Sequence, residues 1–467
     1  MRLPALKKDT NMTSGDINRH LLMFALPLLL GNLFQLLYNT VDSIVVGNFV
    51  GTEALAAVGG SGPIINMLIG IFNGLSSGAT VVISQYYGAK DNKRVSEAVH
   101  TTMFITLVLS VVFTIVGILC SPALLRLMAV PDDVMPEAVT YLRIYFAGIS
   151  GLLLYNMGAG ILRAVGDTRR PMIFLAFSAV TNIVLDLVFV LVFSMGTAGV
   201  AYATIIAQFL SAILVLLSLM KSEGAFKLVL CRIRCTWSVL GRIVNIGLPT
   251  SIQQGVTSFS NVFIQSYINV FGSDVMAGWT SYSKLDQFIL LPMQAVAFAS
   301  TTFVGQNWGA EQYSRAKKGL SAAMKMSLVM TAVLIPPMIL LSRDLISLFD
   351  QTPAVIAYGS LMIRFMSPFY LLCCINQILA GALRGTGNSR VPMIIMLSSF
   401  VAFRQLYMAV ISSFFPGEII PVIFGYPAGW LMASLALFLY YKFSHWEKKY
   451  KIKTKHTADA PAGLEGV

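Results

Sequence analysis

Charge is scarce in this sequence: 12% of its 467 residues are Asp, Glu, Lys or Arg, against 56% that are hydrophobic. A water-soluble domain carries roughly 25% charged residues, so a soluble globule is excluded. Histidine is rarer still, with His20, His100, His445 and His456 all at the margins of apolar runs or in the tail. None reaches a serine, a cysteine or a metal within a span, which argues against an intramembrane enzyme. Five cysteines supply no disulfide framework, and Cys231 with Cys235 has neither a second ligand pair nor a nearby histidine for zinc. No metal site and no cofactor is expected. No apolar core with a cleavage pattern precedes residue 20, so the first helix is expected to remain as a signal anchor.

What is abundant is apolar length. Runs able to span a bilayer fall at about 20–49, 54–85, 96–120, 136–162, 171–194 and 198–220, and again at about 242–271, 275–304, 319–342, 355–382, 391–415 and 419–443. The expected fold is an all-α polytopic membrane protein of twelve transmembrane helices in two six-helix bundles. The expected parts are an N-terminal segment 1–19, a lobe 20–220, a linker 221–241, a second lobe 242–443 and a tail 444–467.

The net charge of +12 comes from basic residues in alternate connectors: Lys7, Lys8 and Arg19; Lys90, Lys93 and Arg94; Arg163, Arg169 and Arg170; the stretch 221–242; Arg315, Lys317 and Lys318; Arg384 and Arg390; and the tail. The other connectors hold Glu53, Asp132, Asp133, Asp274, Asp350 and Glu418. That asymmetry orients helices, with both termini cytoplasmic, and needs no nucleic-acid partner.

The two halves repeat. QYYGAKDNKR from Gln85 matches QNWGAEQYSR from Gln306, and GILRAVGDTRRPM from Gly160 matches GALRGTGNSRVPM from Gly381, both 221 residues apart. Leu26-Pro27 and Leu248-Pro249 fall one residue off that register. Six helices per repeat keep the halves parallel, about a two-fold axis along the membrane normal.

Five ionisable residues lie well inside spans: Asp42, Asp186, Lys284, Asp286 and Arg404. Asn32, Gln35, Asn39 and Asp42 share one face of the first helix. Asn182 and Asp186 share a face of the fifth, at the depth of Asp42, with Thr204 within reach. Two carboxylates brought together in a low-dielectric site cannot both ionise cheaply, so they are expected to share a proton or to ligate a cation such as Na⁺. Asp286 is expected to pair with Arg404 as a structural or gating ion pair, and Lys284 finds no partner. Pro27, Pro63, Pro249 and Pro292 are expected to interrupt helices one, two, seven and eight, with Pro27 a candidate hinge.

These features resemble the multidrug and toxic compound extrusion (MATE) family: twelve helices in parallel halves, the Leu-Pro starts, and the paired connectors GAKDNKR/GAEQYSR and LRAVGDTRRPM/LRGTGNSRVPM. The DNA-damage-inducible F branch is similar in its Asp of helix one, Asn and Asp of helix five and Thr of helix six. The resemblance implies cation coupling at Asp42, Asn182, Asp186 and Thr204, and a substrate cleft at Gln35 and Tyr38; Asn39, on the same stripe, is grouped with them. Acids that the Na⁺-coupled branch carries in helices seven and ten are missing, which favours H⁺.

The expected function is a secondary active exporter, antiporting H⁺ or Na⁺ against small organic, often cationic compounds from an anionic cleft. It would work as a monomer among membrane lipids, in a bacterial cytoplasmic membrane. The alternative is a flippase or exporter of a lipid-linked saccharide, for which a strongly cationic cavity would be needed.

Overall fold

The computed structural model describes residues 11–128, 130–415 and 417–444, so Lys7, Lys8, His445, His456, the tail from 445 and the side chain of Glu53 lie outside it. The described chain is helical throughout, with no strand. The first half comprises α1 (Ile17–Val45), α2 (Thr52–Gly88), α3 (Asn92–Leu127), α4 (Met135–Ala147), α5 (Ile149–Ala164), α6 (Arg169–Leu187) and α7 (Gly196–Lys221). The second comprises α8 (Trp237–Asn269), α9 (Ser273–Gly309), α10 (Tyr313–Leu340), α11 (Ser342–Ser347), α12 (Pro353–Met366), α13 (Tyr370–Gly385), α14 (Arg390–Leu397), α15 (Arg404–Phe414), α16 (Ile419–Ile423) and α17 (Gly425–Phe443).

Among the described residues ten helical stretches are long and apolar enough to cross a membrane, and α4 with α5, bent by 45°, makes an eleventh. The twelfth is α8. Its 33 residues are long enough, but Gln253, Gln254, Ser258, Asn261 and Gln265 keep it from qualifying on hydropathy. It tolerates them because one face packs along α2, while Leu248, Ile252, Phe259 and Phe263 keep its outer face apolar.

Two expectations about helix breaks are corrected. Pro27, Pro63, Pro249 and Pro292 sit inside continuous helices and interrupt none of them. Among the runs read as single spans, 136–162 is divided at Gly148 and 355–382 at a 3-10 turn over Ser367–Phe369. These divisions are one repeat apart. Proline alone removes one hydrogen bond, which a protein-packed helix absorbs, whereas Pro368 begins a new turn after Ser367.

At 37 residues each, α2 and α9 are roughly 55 Å long at 1.5 Å per residue, well beyond the ~30 Å of a bilayer core. Their last turns therefore project at the end of the bundle that carries the basic connectors, and there the repeat becomes a cross-lobe latch. Gln85 Nε2 donates to the Gly385 carbonyl at 2.9 Å, and Gln306 Nε2 donates to the Ala164 carbonyl at 2.8 Å. Arg242 donates to Gln85 Oε1 and the Met12 amide to Gln306 Oε1, both at 2.9 Å. Glycine permits the approach: a Cβ on Gly88 would fall on the Gln306 carbonyl, and one on Gly309 on the Gln85 carbonyl.

Candidate functional site

Asp42 on α1, Asn182 and Asp186 on α6 and Thr204 on α7 converge in the first lobe, with exposures of 7%, 1%, 0% and 6%. The Asp42 and Asp186 carboxyls adjoin each other, and the Thr204 hydroxyl adjoins Asp42. Asp42 Oδ1, both Asp186 oxygens and both polar atoms of the Asn182 amide have no hydrogen-bond donor or acceptor among the described residues. Two ionised carboxylates offer each other only acceptors; one proton between them supplies the missing donor. The Thr204 hydroxyl meanwhile donates to the Val200 carbonyl at 2.9 Å.

The local backbone is irregular where these groups meet. A π-helical turn, Val46–Val50, follows Asp42 by one turn, and another, Val188–Val192, follows Asp186 directly. The two touch. Each widens its helix by one residue, a distortion found mostly at functional positions.

Tyr141 and Tyr145, missed in the sequence, close the site from α4. Tyr141 interacts electrostatically with both carboxylates and stacks on Tyr145, their ring centroids 6.5 Å apart. Their spacing of four on one apolar helix face, with two hydroxyls to satisfy, was the available signal. Tyr38 is buried between this cluster and the cleft, interacting with Asp42 and Tyr145 on one side and with Gln35 and Tyr155 on the other.

A separate cavity of about 460 Å³ lies between the lobes. Gln35 and Asn39 line it, together with Asn32 from the same stripe; Tyr38 and Asp42 do not. Its wall follows the repeat: Asn73 and Gln294, Thr80 and Thr301, Asn156 and Gln377, Arg163 and Arg384 all face it, each pair 221 residues apart. Thr80 donates to the Gly160 carbonyl at 3.1 Å and Thr301 to the Gly381 carbonyl at 3.0 Å, which fixes α2 on α5 and α9 on α13 in matching register. No carboxylate lines the cavity among the described residues. Asp42 and Asp186 lie outside its wall, Asp42 a turn beyond Asn39 on α1, so in this conformation neither carboxyl gives the cavity its charge.

Arg163 and Arg384, counted in the sequence only as orienting charges of connectors, are in the last turns of α5 and α13 and turn inward to the cavity. Nothing in a lone connector arginine signals this; their common place in the repeat did.

The second lobe holds the remaining charges apart. Asp286 makes no ion pair with Arg404: Tyr282 Oη donates to it at 3.3 Å, Tyr370 Oη also bonds it, and the two hydroxyls are 2.9 Å apart. Arg404 instead donates to Asn261 Oδ1 at 2.9 Å and Ser260 Oγ at 3.2 Å, with its guanidinium 4.8 Å from the centre of the Tyr426 ring. Lys284 is exposed, with its ammonium 5.3 Å from the centre of the Phe349 ring. Residues two apart on α9 point to different faces, which separates Lys284 from Asp286.

Residues 27–188 and 249–407 match the family model MatE. The chain is 31% identical over 442 residues to Probable multidrug resistance protein YpnP of Bacillus subtilis, across 94% of this chain and 98% of that one. It is 30% identical over 440 residues to Probable multidrug resistance protein YoeA of the same organism, across 92% and 94%. Its fold resembles that of a multidrug resistance MATE family transporter solved in an outward-facing conformation, with a TM-score of 0.87 at 24% identity over 96% of this chain and 99% of that one.

Proposed function

The chain belongs to the MatE family of multidrug efflux transporters, and on that premise we propose that it is a proton-coupled secondary exporter of small amphipathic compounds. The observation that carries the reading is the buried Asp42–Asp186 pair, in which Asp42 Oδ1 and both Asp186 oxygens lack donors unless a proton or cation joins them. An intramembrane carboxylate pair without a cationic partner is costly and marks an ion pathway. Oxygen ligands alone would also suit Na⁺, but the site then needs both carboxylates ionised at close range. A shared proton needs one.

The coupling runs through α1. One face of this helix carries Asn32, Gln35 and Asn39 on the cavity wall, and the next turn carries Asp42. Gain or loss of the proton changes how α1 sits against α6, and the adjoining π turns give both helices a residue of slack there. Cargo in the cavity feels the change through the three amides. Pro27, in the same helix, leaves the Met23 carbonyl without its usual donor and is the proposed hinge.

The latch of Gln85 and Gln306 lies at the basic end, which the positive-inside rule assigns to the cytoplasm together with both termini. The conformation is then closed to the cytoplasm, the state from which cargo leaves outward and a proton enters. Bacterial relatives support a cytoplasmic-membrane location. Both lobes of the cavity come from one chain, so the monomer suffices.

The test uses everted membrane vesicles energised to acid inside, with a pH-sensitive dye followed as norfloxacin, ethidium and 1-naphthoate are added, with and without Na⁺. Dissipation of the gradient by at least one compound, independent of Na⁺ and lost in Asp42→Asn and Asp186→Asn, is expected. Parent-like dissipation by both variants would overturn the proton site.

A further inference from the structure

We propose that the cargo of the inter-lobe cavity is an organic oxyanion, a carboxylate or phosphate on an apolar body, bound between Arg163 and Arg384. The proposal rests on the reading of this cavity as the cargo site, and it reverses the charge expected of the cargo.

Four observations lead there. First, both guanidiniums line one cavity of about 460 Å³, inside the roughly 300–1,000 Å³ range of small-molecule pockets. They come from opposite lobes at equivalent places in the repeat, so both face the same space from either side. Secondly, neither has a counter-ion: the ion pairs among the described residues are Arg94 with Asp91 and Arg170 with Asp167. No Asp or Glu stands on the cavity wall.

Thirdly, their donors are underused. A guanidinium has five N–H donors. Arg163 makes only long bonds through Nη2, to Ser76 Oγ at 3.3 Å and the Asn156 carbonyl at 3.4 Å. Arg384 donates through Nη2 to Gln253 Oε1 at 3.1 Å, and its buried Nε has no acceptor among the described residues. Fourthly, the rest of the wall is uncharged: ten Asn and Gln side chains with Leu28, Leu175, Met396, Phe298 and Phe400. Amides satisfy polar edges of a ligand, and the aliphatic and aromatic residues take its apolar body.

The bland explanation is that a helix C-terminus tolerates a cation, since the backbone carbonyls there carry partial negative charge. That accounts for arginine on α5 and α13 but not for the direction of both side chains into one cavity. Facing water from the connectors would satisfy the dipole equally well. An Arg fork matches carboxylate and phosphate oxygens with two parallel hydrogen bonds, whereas an organic ammonium in this cavity meets two like charges and no opposite one.

The experiment is equilibrium binding to the purified full-length protein in detergent, with no gradient, so that it is independent of coupling. Three probes share one aromatic body: 1-naphthyl phosphate, 1-naphthoate and 1-naphthylmethylammonium. Farnesyl phosphate is the fourth and separates a lipid headgroup from a soluble anion. At least one anion is expected to bind tenfold or more tightly than the ammonium probe. Arg163→Gln and Arg384→Gln should each weaken it by tenfold or more, with partial recovery in Arg163→Lys and Arg384→Lys. Anion binding should also fall as salt is raised.

The proposal fails if the ammonium probe binds as well as every anion. It also fails if the Gln variants, monodisperse on gel filtration, bind anions within twofold of the parent. Should those variants not fold, the ratio of anion to ammonium affinity in the parent decides alone. Coupled export stands or falls separately, on gradient dissipation in vesicles.

Discussion

Asp286 shows how a single buried carboxyl is made tolerable without an opposite charge. Two phenols, Tyr282 and Tyr370, surround it and also touch each other, so the acid and two hydroxyls form one small network in the core of the second lobe. Tyr370→Phe removes one donor while keeping the ring that stacks near Trp430. The expected result is a loss of about 1–3 kcal/mol of stability, seen as a lower midpoint of thermal unfolding in detergent. An unchanged midpoint would mean that Tyr282 alone satisfies the acid. The sequence suggested Arg404 as the partner of Asp286 because both are charged and intramembrane. The amide and hydroxyl of Asn261 and Ser260, one helix away on α8, outcompeted the acid for that guanidinium. Partner choice at this scale depends on which helix faces are adjacent, and residue types do not state that.

At the scale of elements, the long helices α2 and α9 are the parts whose meaning changed most between sequence and structure. Their ends read as repeated connectors, whereas the glutamines and glycines of the repeat form a reciprocal contact between lobes. Replacing Gly88 and Gly309 together by Val sets a branched side chain against a backbone carbonyl on each side, and the lobes should no longer close there. In a cysteine-free background carrying Thr250→Cys, which lines the cavity, labelling by a water-soluble maleimide from the basic end should then accelerate at least severalfold. Equal labelling rates in the glycine and valine proteins would remove the latch from the account. Helix content and length were legible beforehand because a bilayer-length apolar run needs its backbone bonds satisfied internally. The breaks were not, since Gly148 and Ser367 carry no stronger a breaking signal than the four prolines that leave their helices continuous.

For the whole molecule, two kinds of site occupy different places: an acid pair enclosed in the first lobe and a cationic cavity shared by both. A carrier that brings a proton in and sends an anion out moves two charges in the same electrical sense per cycle. Each is worth about 2.3 kcal/mol per 100 mV. In proteoliposomes with protein oriented to mimic export, a potassium diffusion potential negative on the cytoplasmic side should speed 1-naphthoate export even at equal pH on both faces. Acceleration by the opposite polarity would contradict an exported anion.

The sequence by itself determined the membrane class, the chain of bilayer-length helices and the parallel repeat, and it singled out Asp42, Asn182, Asp186 and Thr204. It could do so because hydropathy, periodicity and the cost of charge in lipid act along one chain, and because a common shift of 221 residues is visible without coordinates. Only the tertiary structure decided which side chains share a space. It brought Tyr141 into the electrostatic surroundings of the acid pair, buried Tyr38 beneath the cavity wall, split Asp286 from Arg404, and turned Arg163 and Arg384 into one cavity. Those outcomes depend on how two lobes pack across an axis. The residues involved are as much as 221 positions apart, beyond anything local spacing encodes.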